Sequence, residues 1–233
     1  MKFFGYKRAD GKVGTRNYVG IFATVACTNE VAAAIAEQVN GAVSFTHQQG
    51  CCQTTVDLSI VTQTLKSLGK NPNLAAVILI ALGCEGTDVE AVAEDIRSSG
   101  RRVEVLTVQE IGGAAKTTAQ GVLIAQEMAR EASKLQRVEC DTSDIRLGLK
   151  CGSSDTTSGL APNPTLGVAV ERLVAENGAA YLGEVTEFIG AEHLLAAQAK
   201  DKITGDKIIE FVERIENRAK AIGVDMRGGQ PTP

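Results

Sequence analysis

The apolar run LAAVILIAL, residues 74–82, constrains the fold more than any other stretch of the chain. It contains no polar side chain and has the length of a buried strand. Strands of this kind occur in parallel sheets that are covered on both faces by helices. We therefore predict an α/β protein in which residues 74–82 form an interior strand of the sheet.

Strand-like and helix-like segments alternate on either side of this run. The predicted strands are residues 17–25, 41–47, 74–82 and 101–108, and the predicted helices are residues 28–39, 53–69, 87–100 and 112–135. Four β–α units in succession indicate an open, mostly parallel sheet with right-handed crossovers. The expected fold is therefore Rossmann-like.

The alternation breaks near residues 137–144, where we place a boundary between a unit of residues 1–138 and a unit of residues 139–233. The predicted elements of the second unit are a strand at 145–150, a helix at 164–178, a strand at 179–185 and helices at 187–199 and 204–223. The sequence stops at VDMRGGQPTP, which is typical of the entrance to a further segment. We expect this smaller α/β unit to be incomplete.

Composition excludes several classes of partner. The formal net charge is -4 with scattered Lys and Arg, aromatic residues make up 4%, and Trp is absent, so nothing favours nucleic-acid binding. No apolar run reaches the length of a membrane span, and the N-terminus MKFFGYKRADGK lacks the apolar core of a secretory signal. We expect a cytoplasmic protein that acts on a small molecule.

The six cysteines are distributed unevenly, because most of them follow predicted strands. The cysteines at strand ends are Cys27, Cys51, Cys52, Cys84 and Cys151. Ligands of α/β proteins bind at the edge where the carboxyl ends of the strands meet. A reducing cytosol disfavours disulfides, so this placement predicts metal ligation or catalysis. The alternative is that each cysteine is a small buried hydrophobe.

The two histidines are also candidates for chemistry. His47 lies at a strand end, and we interpret it as a metal ligand or an acid–base group, with a structural role as the alternative. His193 follows Glu184, Glu187 and Glu192 near a strand-to-helix junction. Carboxylates and an imidazole in one place can transfer protons, although glutamates on a helix can equally form a solvated face.

The loop CGSSDTTSG, residues 151–159, supplies backbone amides, hydroxyls and a carboxylate ahead of a predicted helix. Such a loop can hold the carboxylate or phosphate group of a ligand. Arg16, just before the first strand of the sheet, could clamp a substrate carboxylate, or it could extend its charge to solvent at the strand edge. No GxGxxG or GxxxxGK[ST] sequence follows a strand, so a dinucleotide or ATP site has no specific support.

The ligand types narrow the choice of metal. Thiolates with imidazole and carboxylate suit iron or zinc better than magnesium or calcium. A closed zinc site would normally show CxxC spacing, which this sequence lacks. An open site for Fe2+, or an iron–sulfur cluster, fits the dispersed cysteines better.

Four ordered motifs carry a resemblance to a known family. They are GYKRADGKVGTRNY at 5–18, GCEG at 83–86, GLKCGSSDTTSGLAPNPTLG at 148–167 and EVTEFIGAEHLL at 184–195. These motifs resemble the altronate and galactarate dehydratase family, which also includes the large subunit of (2R)-sulfolactate sulfo-lyase. The resemblance implies an enzyme that needs a divalent metal, commonly iron. It would eliminate water, or sulfite in the sulfo-lyase, from a 2-hydroxy acid and leave a 2-keto acid.

The expected function is therefore a metal-dependent hydro-lyase of a sugar acid such as altronate or galactarate. The metal and fixed donors would stabilise the enediolate, and a positioned base would take the proton next to the carboxylate. The predicted metal ligands are His47, Cys51, Cys84 and Cys151, the predicted substrate-binding residues are Arg16, Ser153 and Ser154, and the predicted catalytic residues are Glu187, His193 and Asp155.

Family members usually have a small N-terminal domain or subunit, which we expect as a separate partner, and they continue beyond the last residue of this sequence. We interpret the chain as a fragment that forms a homo-oligomer. Three alternatives stay open. The first is a sulfolactate-type carbon–sulfur lyase, and the second is a folding and interface module without catalysis. The third is a thiol-redox or structural zinc protein, which explains the cysteines but not the serine–aspartate loop.

Overall fold

A four-stranded parallel sheet forms the centre of the first part of the chain. The structure is a computed structural model that describes residues 1–152 and 155–227. The chain separates into two units, Lys2–Asp141 and Thr142–Pro233 with Met1. Helices and strands alternate in both units, which confirms the predicted α/β class. None of the helices in the described ranges has the length and apolar character that crossing a bilayer requires.

The first unit contains the predicted strands and helices in the predicted order, together with further short elements. Its strands are β1 (Lys2–Lys7), β2 (Val13–Gly14), β3 (Tyr18–Ala23), β4 (Ala42–Phe45), β5 (Leu74–Ala81), β6 (Arg102–Thr107) and β7 (Val138–Asp141). Its helices are α1 (Asn29–Glu37), α2 (Thr55–Gly69), α3 (Val89–Arg97), α4 (Val108–Ile111) and α5 (Ala114–Ser133). A short 3-10 turn, Ala26–Thr28, leads from β3 into α1.

Strand β5 is the interior strand that its apolar sequence predicts. The parallel sheet has the order β4-β3-β5-β6, so β5 pairs with a strand on each side. Ile78 and Ile80 belong to a core that α1 and α5 cover, whereas Val77 and Leu79 belong to a second core under α2 and α3. Successive side chains of a strand point to opposite faces. Both faces of β5 are therefore buried, which explains why no polar residue interrupts the run.

A second, antiparallel sheet joins the two ends of the first unit, and the sequence analysis assigned no strands to it. Its order is β2-β1-β7, with Lys2 opposite Asp141 and Phe3 opposite Cys140. Arg137 supports this sheet, since its guanidinium donates to the carbonyl of Phe4 and lies 5.0 Å from the centre of the Tyr6 ring. Local sequence patterns do not detect pairs of strands this far apart in the chain.

The second unit contains a smaller parallel pair of strands. Its elements are β8 (Arg146–Leu149), α6 (Thr156–Leu160), α7 (Pro162–Ala175), β9 (Ala179–Leu182), α8 (Glu192–Ala197) and α9 (Lys202–Ala221). Strands β8 and β9 pair in parallel, with Arg146 opposite Ala179 and Leu149 opposite Leu182. Helix α9 packs against α8, where a Cβ on Gly205 would lie 2.9 Å from the carbonyl oxygen of Ala196.

The predicted helix at 187–199 is wrong in its first part. Residues Val185–Phe188 form a 3-10 turn, and α8 begins only at Glu192. Gly190 lies between them with φ +94°, a left-handed conformation that glycine adopts without strain. This glycine interrupts the helix, although the apolar spacing continues through it.

Candidate functional site

The carboxyl edge of the parallel sheet collects four of the five thiols of the first unit. Cys27 follows β3, Cys51 and Cys52 follow β4, and Cys84 follows β5, and all four side chains are exposed. We call these four residues the thiol edge. The pKa of the Cys51 thiol is raised, chiefly by its hydrogen bond with Cys52 and the charge of that neighbour. Because β3, β4 and β5 are parallel neighbours, the four thiols lie along one edge of the sheet.

The GCEG turn at residues 83–86 is organised by a carboxylate that the sequence analysis did not single out. The Glu85 carboxylate accepts hydrogen bonds from the N–H groups of Gly83 at 2.7 Å and Cys84 at 3.0 Å. It also accepts from the Leu82 N–H at 3.2 Å and the Thr24 hydroxyl at 2.8 Å. Glu85 therefore fixes the backbone that carries Cys84 and ties it to the end of β3. The signal that could have found it is a carboxylate directly after the most buried strand.

Because of its hydrogen bonds, Glu85 stabilises the fold by an amount that depends on pH. Burial by itself raises the pKa of Glu85, but the Gly83 N–H and the other donors outweigh burial, and the net pKa is lowered from 4.5. A carboxyl group with a lowered pKa in the folded state stabilises the fold above its unfolded pKa. That stabilisation is lost as the pH falls through the lowered folded value.

We expect Glu85→Gln to reduce the free energy of unfolding by about 1–3 kcal/mol near neutral pH, since an amide group cannot accept from all of these donors. The measurement is urea unfolding of both proteins from neutral pH to below pH 4. The difference should shrink at the acid end, where the native carboxylate becomes protonated. Glu37→Gln, exposed at the end of α1, is the matched control. Equal unfolding midpoints for Glu85→Gln and the unmodified chain at neutral pH would contradict this role.

His47 is held on the same edge by both of its ring nitrogens. Its Nδ1 accepts from the Gln49 N–H at 3.1 Å, so the proton of the neutral ring is on Nε2, which donates to the carbonyl of Ala23 at 2.9 Å. The Asn29 side chain also bonds both the N–H and the carbonyl of His47. A metal ion at His47 would have to replace one of the two ring hydrogen bonds.

The predicted metal ligands do not form a ready-made metal site. Within residues 1–152 and 155–227, no group of three or more histidine, cysteine or acidic side chains is arranged to hold an ion. Cys51 and Cys84 both lie on the thiol edge. Both ring nitrogens of His47 already form hydrogen bonds. Cys151 belongs to the second unit. In the arrangement described, these residues do not form a complete ligand set for an iron ion.

Arg16 lies at the opposite edge of the parallel sheet from the thiols. It precedes Tyr18, the first residue of β3, and its N–H donates to Oδ1 of Asn73, which precedes β5. Strand β3 has six residues, which span roughly 20 Å. The structure therefore does not bring the predicted carboxylate clamp and the thiol edge together within the first unit.

The loop after β8 carries several of the predicted residues of the second unit. Asp155 caps α6, accepting from the N–H and the hydroxyl of Ser158, each at 3.0 Å, and from the hydroxyl of Thr157. The hydrogen bonds from Thr157 and then Ser158 lower the pKa of Asp155 to about 2. An aspartate held ionised in this way can accept hydrogen bonds, but it is not a proton donor at neutral pH. Ser153 and Ser154 lie outside the described residues.

Glu187 and Cys151 are brought together within the second unit. The Cys151 N–H donates to Oε1 of Glu187 at 2.7 Å. Lys150 Nζ lies 3.5 Å from the same oxygen and 3.2 Å from the carboxylate of Glu184. The contact with Glu184 is the main reason that the pKa of Lys150 is raised. Glu187 thus holds the start of the loop in place.

His193 lines a polar cavity of about 490 Å³ between α8 and α9. The guanidinium of Arg227 binds both carboxylate oxygens of Glu216 and reaches Glu192 at 2.7 Å. This contact with Arg227 is the main reason that the pKa of Glu192 is lowered to about 2. The cavity-lining residues are Glu192, His193, Ile209, Val212, Glu213, Glu216, Asn217, Lys220 and Arg227.

Sequence reasoning missed Glu216 and Arg227. The side chain of Glu216 is only 7% exposed, which is unusual for a glutamate on a helix. The signal was present in the spacing, because Glu216 follows the buried Val212 by four residues and so falls on the buried face of the helix. A carboxylate at such a position usually has a dedicated partner, which here is Arg227.

An apolar groove of about 320 Å³ lies beside the edge strand β4 and α2. Its floor includes Phe22 and Phe45, whose rings stack with centroids 4.2 Å apart. The surface of the groove is mostly apolar, so the groove is poorly suited to a sugar acid. The lining residues are Phe22, Phe45, Thr46, His47, Gln49, Gln53, Asp57, Ile60, Val61, Thr64, Leu65 and Leu68.

Two family models match the chain. One is described as the second domain of D-galactarate dehydratase/altronate hydrolase and matches residues 5–133. The other is described as the C-terminal part of D-galactarate/altronate dehydratase and matches residues 142–233. Together the matches confirm the resemblance carried by the four sequence motifs.

Curated relatives agree with these matches. The chain is 36% identical to the (2R)-sulfolactate sulfo-lyase subunit beta of Chromohalobacter salexigens, over 99% of this chain and 59% of the relative. It is 34% identical to altronate dehydratase of Escherichia coli, over 89% of this chain and 43% of the relative. It is 29% identical to galactarate dehydratase (L-threo-forming) of the same organism, over 99% of this chain and 48% of the relative. The chain thus spans about half the length of these relatives.

Proposed function

The chain belongs to the D-galactarate/altronate dehydratase family, and on that premise we propose that it carries part of a hydro-lyase acting on a sugar acid. The substrate class is altronate or galactarate, and the product is a 2-keto-3-deoxy acid. The relatives are lyases, which supports this class of reaction.

The polar cavity around His193 is the observation that carries the proposal. Its volume of about 490 Å³ is large enough for a six-carbon acid, and hydrogen-bonding side chains form most of its lining. Loss of water from a sugar acid breaks the C–H bond next to the carboxylate and the C–O bond one carbon further on. A group that takes the first proton must be able to gain and lose a proton near neutral pH, as an imidazole does.

The other residues of the second unit would bind and orient the substrate. Glu187 holds the Cys151 end of the loop, so the amides and hydroxyls that follow can donate hydrogen bonds to a substrate carboxylate. Ser153 and Ser154 are the proposed contacts there. Asp155 stays ionised and orders the start of α6, and we assign it to positioning.

A divalent metal, Fe2+ first and an iron–sulfur cluster second, stays part of the proposal. Such a metal would stabilise the negative charge that develops on the substrate as the proton leaves. Cys51 and Cys84 are the ligands that share one edge, and arranging a full ligand set around them would require movement of the thiol edge. We also propose that the site includes His47, Arg16 and Cys151. The whole enzyme would have to bring these three residues together.

A sulfolactate-type lyase is the second candidate, because the sulfo-lyase subunit matches nearly the whole chain at 36% identity. The same proton removal would then break a C–S bond and release sulfite. The pattern of hydrogen-bonding groups around His193 suits either acid. A cytoplasmic location, a homo-oligomer and a separate small N-terminal domain or subunit complete the proposal.

The test is an anaerobic assay of the purified chain with Fe2+ and, in turn, altronate, galactarate and sulfolactate. We expect a 2-keto acid from one of the two sugar acids and no sulfite from sulfolactate. Sulfite release would favour the second candidate. No product from any of the three acids would identify the chain as a folding or interface module. Iron analysis of the Cys51→Ser and Cys84→Ser variants tests the metal separately, since loss of bound iron in both is expected.

A further inference from the structure

Cys51 and Cys52 form a contact that neither the reaction nor the metal requires. Their Sγ atoms lie 3.7 Å apart, and both side chains are exposed to solvent. We propose that this pair is a reversible oxidation site, which closes into a disulfide between adjacent residues when it meets hydrogen peroxide.

The backbone of the loop places the two thiols side by side. Neighbouring side chains in an extended strand point to opposite faces, which would separate two consecutive thiols. Here Cys52 has φ +53°, a left-handed conformation that is uncommon for any residue other than glycine. Such a conformation persists only where the surrounding structure holds it in place.

The loop is held on both sides of the pair. Gly50 has φ +96° and packs so closely on the end of β3 that a Cβ would lie 2.8 Å from the carbonyl oxygen of Thr24. The Gly50 N–H donates to Oε1 of Gln53 at 2.7 Å, which closes the turn around Cys51 and Cys52. The contact between the thiols is thus a consequence of the fold.

The other two thiols of the edge are attached to different supports. Cys84 lies on the turn that Glu85 holds through backbone hydrogen bonds, and Cys27 lies in the 3-10 turn after β3. The thiols of Cys51 and Cys52 are already in contact, whereas Cys27 and Cys84 are carried by other turns. Oxidation should therefore join Cys51 to Cys52.

The chemistry needs only peroxide as the oxidant. One thiol reacts with H2O2 to give a sulfenic acid and water, and the neighbouring thiol then displaces the hydroxyl group as a second water, leaving the S–S bond. Adjacent Cα atoms are about 3.8 Å apart, which is below the usual span of a disulfide. The bond should be strained and therefore easily reduced. Two molecules of glutathione would restore both thiols and leave as glutathione disulfide.

Peptide mapping tests the proposal directly. The reduced chain is treated with hydrogen peroxide, the remaining thiols are blocked with N-ethylmaleimide, and the protein is cut with trypsin and a glutamate-specific protease. Cleavage after Glu37 and Lys66 releases residues 38–66, which contain Cys51 and Cys52 and no other cysteine. We expect this fragment to lose the mass of two hydrogen atoms, to take up no N-ethylmaleimide, and to recover both thiols after glutathione treatment.

Variants separate the pair from its neighbours. Cys51→Ser and Cys52→Ser should each abolish the internal bond, while Cys27→Ser and Cys84→Ser should keep it. An unchanged fragment, a sulfinic acid on either residue without a bond, or a bond to Cys27 or Cys84 would overturn the proposal. Because the readout is a mass, it is independent of whether the chain turns over a sugar acid.

Discussion

The His193→Gln variant is expected to convert its sugar acid about 10²- to 10⁴-fold more slowly than the unmodified chain. Glutamine keeps a hydrogen-bonding side chain of similar reach, but it cannot take up and release a proton near neutral pH. The ion pair between Arg227 and the buried Glu216 does not involve His193, so the cavity should keep its shape. The measurement is kcat and kcat/KM with the sugar acid that is active in the assay.

Gln198→Ala is the matched control for this variant. Gln198 is exposed at the end of the same helix, α8, and it does not line the cavity. We expect its rate and its melting temperature to equal those of the unmodified chain. A His193→Gln variant that is as fast as the control would remove His193 from the reaction, and Glu187 would become the next residue to test.

Phe22→Ala should reduce the free energy of unfolding by about 3–5 kcal/mol. The ring of Phe22 is fully buried, and it stacks on Phe45, its neighbour across β3 and β4, with 5° between the ring planes. Its removal would leave a hole between the sheet and α2 that joins the apolar groove beside β4. A domain is stable by only about 5–15 kcal/mol, so this loss is a large share of the total. Urea unfolding, followed by the circular dichroism of the helices, measures it.

Phe4→Ala provides the comparison for the loss of a phenyl ring from the surface. Phe4 is 63% exposed on β1, and its contact with Arg137 is made by its carbonyl, which alanine retains. The expected change is within about 0.5 kcal/mol. If Phe22→Ala were no more destabilising than Phe4→Ala, the stacked pair would not be part of the core of the first unit.

The sequence predicted those parts of the fold that rest on local patterns. The run at 74–82 predicted an interior strand because burial on both faces excludes polar residues, and the alternation around it predicted the parallel order. The thiols could be assigned to one edge for the same reason, because parallel strands all end on the same side. Each of these inferences needs only neighbouring residues and the geometry of a sheet.

The features that could not be predicted depend on contacts between distant residues. The sequence does not show that β1 pairs with β7, nor that Arg227 is directed at Glu216. For His47, the residue type suggested a ligand, but its hydrogen bonds with Gln49 and Ala23 became visible only in three dimensions. Glu85 could have been inferred, since a carboxylate beside several free backbone N–H groups in a tight turn tends to accept from them.

The pairing of β1 with β7 also orders events during synthesis. The ribosome makes β1 first and its partner last, so at about 5–20 residues per second the first strand waits on the order of 10 s for the chain to reach β7. The parallel sheet needs neither β1 nor β7 and can assemble during that interval. The first unit therefore does not grow steadily from its N-terminus; its final step joins its oldest residues to its newest.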